Sequence, residues 1–171
     1  MEMLTNIWNF LTTENVGFVN VMVSLFGFIE SYLSLMLFVN LLNIKCSGKQ
    51  KLLYVILSGV ICTILIQKLV PSPFNVVFNY LTVFAIIYFI FKQGFLKTLL
   101  ALFVPVLIFG LASVLILNIY IKILNITYEQ CSFIPLFRFF YFIILYIIVS
   151  LIAFILKLVC LKINAIRLTI I

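Results

Sequence analysis

Short basic turns divide this chain into apolar runs, each long enough to cross a bilayer, and that division fixes what it can become. The runs stand at about 16–44, 52–70, 74–91, 95–121 and 135–161. A helix rises about 1.5 Å per residue, so about 20 residues cross a hydrocarbon core of roughly 30 Å. Lipid offers the backbone no hydrogen-bond partner, so a spanning run must be helical throughout or close into a barrel. The runs show no strand-like alternation, and the expected fold class is an all-α, polytopic transmembrane helical bundle of about five spans. Composition supports this: 67% of the residues are hydrophobic, 9% are charged and the mean hydropathy is +1.40. Soluble domains average roughly 45–50% apolar and about 25% charged, and water would not tolerate the surplus.

The punctuation is equally readable. Lys45–Lys51 is a polar basic turn, Pro71-Ser72-Pro73 breaks a helix, and Lys92-Gln93-Gly94 leaves room only for antiparallel neighbours. Lys122–Ile134 is the longest polar connection, and Pro135 suits the first position of a helix. Residues 1–15 read as an interfacial segment, because Met1, Leu4, Ile7, Trp8 and Leu11 share a helical face. They lack the basic start and small-residue cleavage site of a signal peptide. Residues 162–171 read as a short cytoplasmic tail, and 16–161 as the transmembrane domain.

Basic residues are distributed unevenly about the spans. With five crossings, Lys45, Lys49, Lys51, Lys92, Lys97, Lys157, Lys162 and Arg167 fall on one side, and Lys68, Lys122 and Arg138 on the other. Cytoplasmic loops carry the excess of Lys and Arg, which places the N-terminus outside and the C-terminus inside. The net charge of +7 is thus a topology signal. It forms no basic patch, which argues against a nucleic-acid partner. The expected location is a cell membrane, in the multi-pass manner of a bacterial plasma-membrane protein, with the bilayer itself as the main partner.

Several residues are odd in such a setting. Glu30 falls near the middle of the first run, where a charge costs about 2.5–3.5 kcal/mol on insertion scales. It is either a ligand contact, a proton site, an interhelical hydrogen-bonding group or a tolerated buried carboxyl. The amides chemically able to serve it are Asn40, Gln67, Asn79 and Asn118. Asn79 and Arg138 are the other intramembrane polar candidates. Arg138 lies amid Phe137, Phe139, Phe140 and Tyr141, where it either snorkels to an interface or receives a ligand carboxylate. Asn20, Ser24, Gly27, Ser31 and Ser34 recur on one helical face. Such a stripe is either a packing seam inside the bundle or the face of a homodimer. Leu35 and Val39, off that stripe, are expected to meet lipid. Pro105 removes the backbone bond to Ala101, and with Gly110 marks either a static kink or a hinge. Asn125-Ile126-Thr127 matches a glycosylation acceptor.

What is missing excludes most chemistry. The chain has no His and no Asp, so Ser-His and Cys-His nucleophile pairs and aspartyl dyads cannot form. Cys46, Cys62, Cys131 and Cys160 are scattered without metal-ligand spacing and read as small buried hydrophobes. No Gly-rich phosphate loop occurs. No enzyme activity, metal or cofactor is expected.

The segment LFGFIESYLSLMLFVNLLNIK, followed by a basic turn and a proline-broken second run, resembles the N-terminal membrane sensor region of GHKL-type histidine kinases of the accessory-gene-regulator kind. The segments IIYFIFKQGFLKTLLALF and IPLFRFFYFIILYIIVSLI extend the resemblance over nearly the whole chain. The phosphoacceptor His and ATPase domain of that family have no counterpart in these residues. The resemblance implies a receptor that binds an extracellular or bilayer-borne ligand, a peptide among the options, and passes a helix movement to a cytoplasmic kinase-type partner. The other reading, from a different class, is a small substrate-binding membrane subunit of a transporter or a permease-like protein.

Overall fold

A computed structural model describes residues 2–66 and 74–169, and within them every regular element is helical. The elements are α1 (Glu2–Thr12), α2 (Val16–Leu41), α3 (Gly48–Ser58), α4 (Phe74–Phe91), α5 (Phe95–Leu124), α6 (Tyr128–Phe133) and α7 (Pro135–Thr169). A π-helical segment, Gly59–Ile66, continues α3. Among the described residues, four helices are long and apolar enough to cross a membrane: α2, α4, α5 and the Pro135–Cys160 part of α7. The second expected run is helical over Gly48–Ile66, with a change of winding at Gly59. Its remainder, with Gln67, Lys68 and the Pro71-Ser72-Pro73 breaker, lies outside the described residues.

Each helix begins and ends for a local reason. The Asn15 side chain accepts a hydrogen bond from the Phe18 amide at 3.0 Å and so caps α2. Ser47 and Gln50 form a reciprocal capping box at the start of α3, and Thr127 and Gln130 form another at α6. Pro135 opens α7, where its missing N–H costs nothing. The chain leaves α2, α4 and α5 through Asn43, Lys92 and Asn125, all with positive φ. Two of the three are Asn, which tolerates the left-handed region best after Gly. Gln50 also works between helices. Its Nε2 donates to the Ile90 carbonyl at 2.9 Å and ties α3 to the end of α4.

Three expected boundaries move. α2 stops at Leu41 rather than 44, and α5 continues to Leu124. The tail expected over 162–171 is helical through Thr169, because no Gly or Pro interrupts α7. The polar connection Lys122–Ile134 contains the one-and-a-half-turn helix α6. The glycosylation-like triplet is explained by local structure: Asn125 ends α5 in the left-handed conformation and Thr127 caps α6.

α2 is the centre of the bundle and touches α3, the π segment, α5 and α7; α4 joins α3 to α5. Two cores share α2 and α5. One packs Leu33 and Leu37 of α2 against Phe109, Ala112 and Ile116 of α5 and Tyr141–Ala153 of α7. The other packs Leu35 and Phe38 of α2 against Tyr54 of α3, Ile86, Ile87 and Phe91 of α4, and Ala101 of α5. Leu35 is therefore fully buried, not lipid-facing, and Val39 packs against the same core. The reason is that the second half of α2 packs against α3 and α4 on one side and α5 and α7 on another, while its free face lies on Val21, Leu25, Ile29 and Tyr32. Exposed side chains elsewhere are large and apolar, among them Phe89, Leu96, Leu111, Ile147 and Phe154, as lipid-facing positions require.

Candidate functional site

Between these cores the helices border a partly open cavity of about 550 Å³. That volume is within the range of drug-sized ligand sites. α2, α3 with its π extension, α4, α5 and α7 all contribute to the wall. Much of it is apolar, including Val83, Leu102, Val106, Phe109 and Leu145.

The polar part of the wall gathers residues scattered in sequence. Glu30 from α2, Asn79 from α4 and Arg138 from α7 all line the cavity. Gly27, Ser31 and Ser34 do too, as do Pro105 and Gly110 of α5. Asn20 and Ser24 are not part of it; Ser24 Oγ donates to the Asn20 carbonyl at 2.9 Å. The lower part of the stripe therefore forms part of the cavity wall. Gly27 is buried. Pro105 sits within a continuous α5, fully part of the wall, and Ala101, whose carbonyl it leaves without that helical bond, borders the same space.

Glu30 has an accessible side chain, because it faces the cavity rather than packed atoms. No salt bridge joins it to Arg138. Of the four amides that could serve it, Asn40 donates to the Ala153 carbonyl at 3.4 Å and Asn118 to Val114 at 2.8 Å. Gln67 lies outside the described residues. Asn79 alone of the four shares the cavity with Glu30 among the described residues, and its Oδ1 is buried with no hydrogen-bond partner there. Asn75, one turn before it on α4, is in the same condition.

Arg138 is held by aromatic faces. Its guanidinium carbon stands 4.7 Å from the Phe142 ring centre and 5.5 Å from that of Tyr141. Cation–π contacts of this kind are worth about 0.5–2 kcal/mol. The guanidinium Nε is buried without a hydrogen-bond partner among the described residues. Arg138 lines the cavity.

Sequence reasoning missed the hydroxyl-bearing wall. Tyr54, Ser58 and Cys62 recur every fourth residue on α3 and the π segment, and Tyr146 and Ser113 face the same space. Ser113 Oγ and Tyr141 Oη are 2.7 Å apart, and Tyr146 Oη donates to the Phe26 carbonyl at 3.3 Å. The four-residue polar spacing in an apolar run was the available signal. At the end of the bundle beside Arg138, Cys131 of α6 is fully buried. Burial pushes its thiol up, and the nearby Arg138 charge offsets only part of that, so it is a poor nucleophile.

No protein-family model, no curated protein and no solved structure matches this chain.

Proposed function

We propose that this protein is a receptor module of a bacterial plasma membrane. On this reading it crosses the bilayer five times, with its N-terminus outside, and binds a ligand in the central cavity. The observation that carries the reading is the convergence of Glu30, Asn79 and Arg138, from three helices, on one drug-sized cavity. Intramembrane ionisable groups are expensive and are kept where they act. α7 supplies the route for output. Its 35 residues extend about 52 Å, well beyond a hydrocarbon core of roughly 30 Å. One rigid helix thus carries cavity residues at one end and projects past the membrane at the other. A cytoplasmic partner of the sensor-kinase type would read its displacement, as the resemblance to GHKL-type sensor regions implies.

Full-length protein in nanodiscs, incubated with medium conditioned by the source cells, tests ligand binding. Wild type and Glu30→Gln, which keeps shape and hydrogen bonding, are expected to retain a molecule detectable by mass spectrometry. Glu30→Leu is expected to insert as well or better but to retain at least about tenfold less, because a mid-bilayer acceptor is lost. Equal retention by the Leu variant would reduce Glu30 to a passenger.

The orientation has its own check. On a cysteine-free background, a cysteine at position 128 is expected to react with an impermeant thiol reagent added outside intact cells, and one at position 48 is not. The reverse pattern would overturn the topology.

The transporter-subunit reading has one observation in its favour. A π-helical segment and an intrahelical proline both border the cavity, and transporters build midplane sites from interrupted helices. Proton-coupled uptake into vesicles, lost in Glu30→Gln because Gln cannot titrate, would select it over the receptor.

A further inference from the structure

Arg138 and Glu30 face the cavity at different depths and do not meet. α2 and α7 run in the same direction: the Phe26 and Phe142 rings lie 4.9 Å apart, and further along Asn40 reaches Ala153. Arg138 precedes Phe142 by one turn and Glu30 follows Phe26 by one turn. Counting from these two contacts, the backbones at Arg138 and Glu30 are offset along the bundle by about 8–12 Å, at about 1.5 Å per residue. The same cavity is lined by Phe109, Leu145 and Val106 along with hydroxyl groups, Tyr146 among them. The guanidinium is steered by Tyr141 and Phe142 and its Nε has no hydrogen-bond partner among the described residues, while the carboxyl looks into the same cavity from below.

We infer that the ligand is an amphoteric molecule, with an anionic group held by Arg138, a hydrogen-bond donor or ammonium held by Glu30, and an apolar stretch between them. The inference rests on the cavity being a ligand site, and it adds which chemistry that site selects. Arg presents a planar fork that matches carboxylate and phosphate oxygens two at a time. Glu30 offers only acceptor oxygens when ionised, and one donor besides when neutral, so it suits an ammonium, amide N–H or hydroxyl. The anion has two sources: a free acid entering from outside, or the headgroup of an anionic lipid leaning in from the leaflet beside Arg138.

The test uses the full chain in phosphatidylcholine nanodiscs, with thermal unfolding followed by a thiol-reactive dye that reports exposure of the buried Cys62 and Cys131. The probes are ω-aminooctanoate, γ-aminobutyrate, octanoate, octylamine and octanol. ω-Aminooctanoate is expected to raise the unfolding temperature at the lowest concentration. Octanoate should need more, and γ-aminobutyrate, too short to bridge the two groups, more again. Arg138→Gln should raise the half-saturating concentration of both eight-carbon acids roughly tenfold or more, the usual worth of a charge-assisted bond. Arg138→Lys, which keeps the cation and its packing, should retain part of the effect. Glu30→Leu should abolish the preference for ω-aminooctanoate over octanoate, Glu30→Gln, which keeps an acceptor oxygen, should only narrow it, and both should leave octanoate unchanged. If phosphatidylglycerol nanodiscs raise the unfolding temperature of wild type but not Arg138→Gln, and octanoate then adds nothing, the anion is a lipid headgroup. Octanol acting as well as octanoate, on wild type and Arg138→Gln alike, would leave a ligand cavity without charge selection and overturn the inference alone. A chain-length series with no dependence on length would overturn the two-point geometry. No response to any probe in either lipid would count against the inference and the ligand-site reading together.

Discussion

Phe38→Ala is expected to lower the stability of the bundle by about 2–4 kcal/mol in a detergent or steric-trap unfolding titration. Phe38 is fully buried at the meeting point of three helices. Its ring makes edge-on contacts with Tyr54 at 5.4 Å and Phe91 at 5.5 Å, both at interplanar angles of 79°. Leu35, Ile87 and Ala101 complete the same core. In a soluble protein the loss would run to about 3–5 kcal/mol, because transfer from water and cavity formation add. In a bilayer the unfolded reference for this helix is lipid, so the transfer part largely vanishes. What remains is the cavity and the forfeited dispersion contacts, which lipid tails cannot fill inside a closed core. Phe154→Ala is the control. Phe154 is 57% exposed, so an effect below about 0.5 kcal/mol is expected there. Equal losses at the two positions would show that the second core does not hold α2, α3 and α4 together.

That core also marks the limit of what periodicity can tell. A small, polar stripe from Asn20 to Ser34 is plain in the sequence, and so is its opposite face. Periodicity says which residues share a face, not what the face meets. The second half of α2 packs on two sides, so Leu35 is as buried as Leu37, and Gly27, Ser31 and Ser34 of the stripe border the cavity. Glu30, Asn79 and Arg138 stand out because lipid penalises each of them, and any polar group kept in an apolar run needs a reason. Tyr54, Ser58 and Cys62 do not stand out, since tyrosine, serine and cysteine are tolerated well enough in a membrane helix to carry no such signal. Caps are legible where their chemistry is local, as at Pro135. The box at Thr127 and Gln130 is equally present, but it sits inside a triplet with another reading. The extension of α7 to Thr169 is obscured by Lys162 and Arg167, which suggest a solvated tail yet are good helix formers. The π segment has no sequence signature beyond one glycine.

That glycine, Gly59, supports a sharp expectation of its own. It is the first residue of the π segment and is buried against α2. Its φ of −60° is ordinary for a helix, so the backbone conformation does not demand glycine. Space does. A Cβ at position 59 would lie far inside van der Waals contact of the Cδ1 and Cε1 atoms of Phe28, and 3.0 Å from its Cγ. A ring atom at the terminus could swing away, but Cγ is fixed close to the α2 backbone, so relief requires the helices to separate. Gly59→Ala is therefore expected to lower the yield of folded protein several-fold and to destabilise it by about 1–3 kcal/mol, the range for overpacking. Gly59→Val should be worse. Helix propensity acts in the opposite direction, favouring Ala over Gly by about 1 kcal/mol, so a net loss can come only from the close approach. Gly110→Ala isolates that propensity gain, because a Cβ there meets nothing within 4 Å, and it should be neutral or stabilising. The decisive variant is Gly59→Ala combined with Phe28→Ala. Removing the ring makes room for the methyl, so the double variant should be more stable than the sum of the single effects by about 1–3 kcal/mol, the coupling of groups in direct contact. Additive losses would mean that the ring of Phe28 is not what reserves position 59 for glycine.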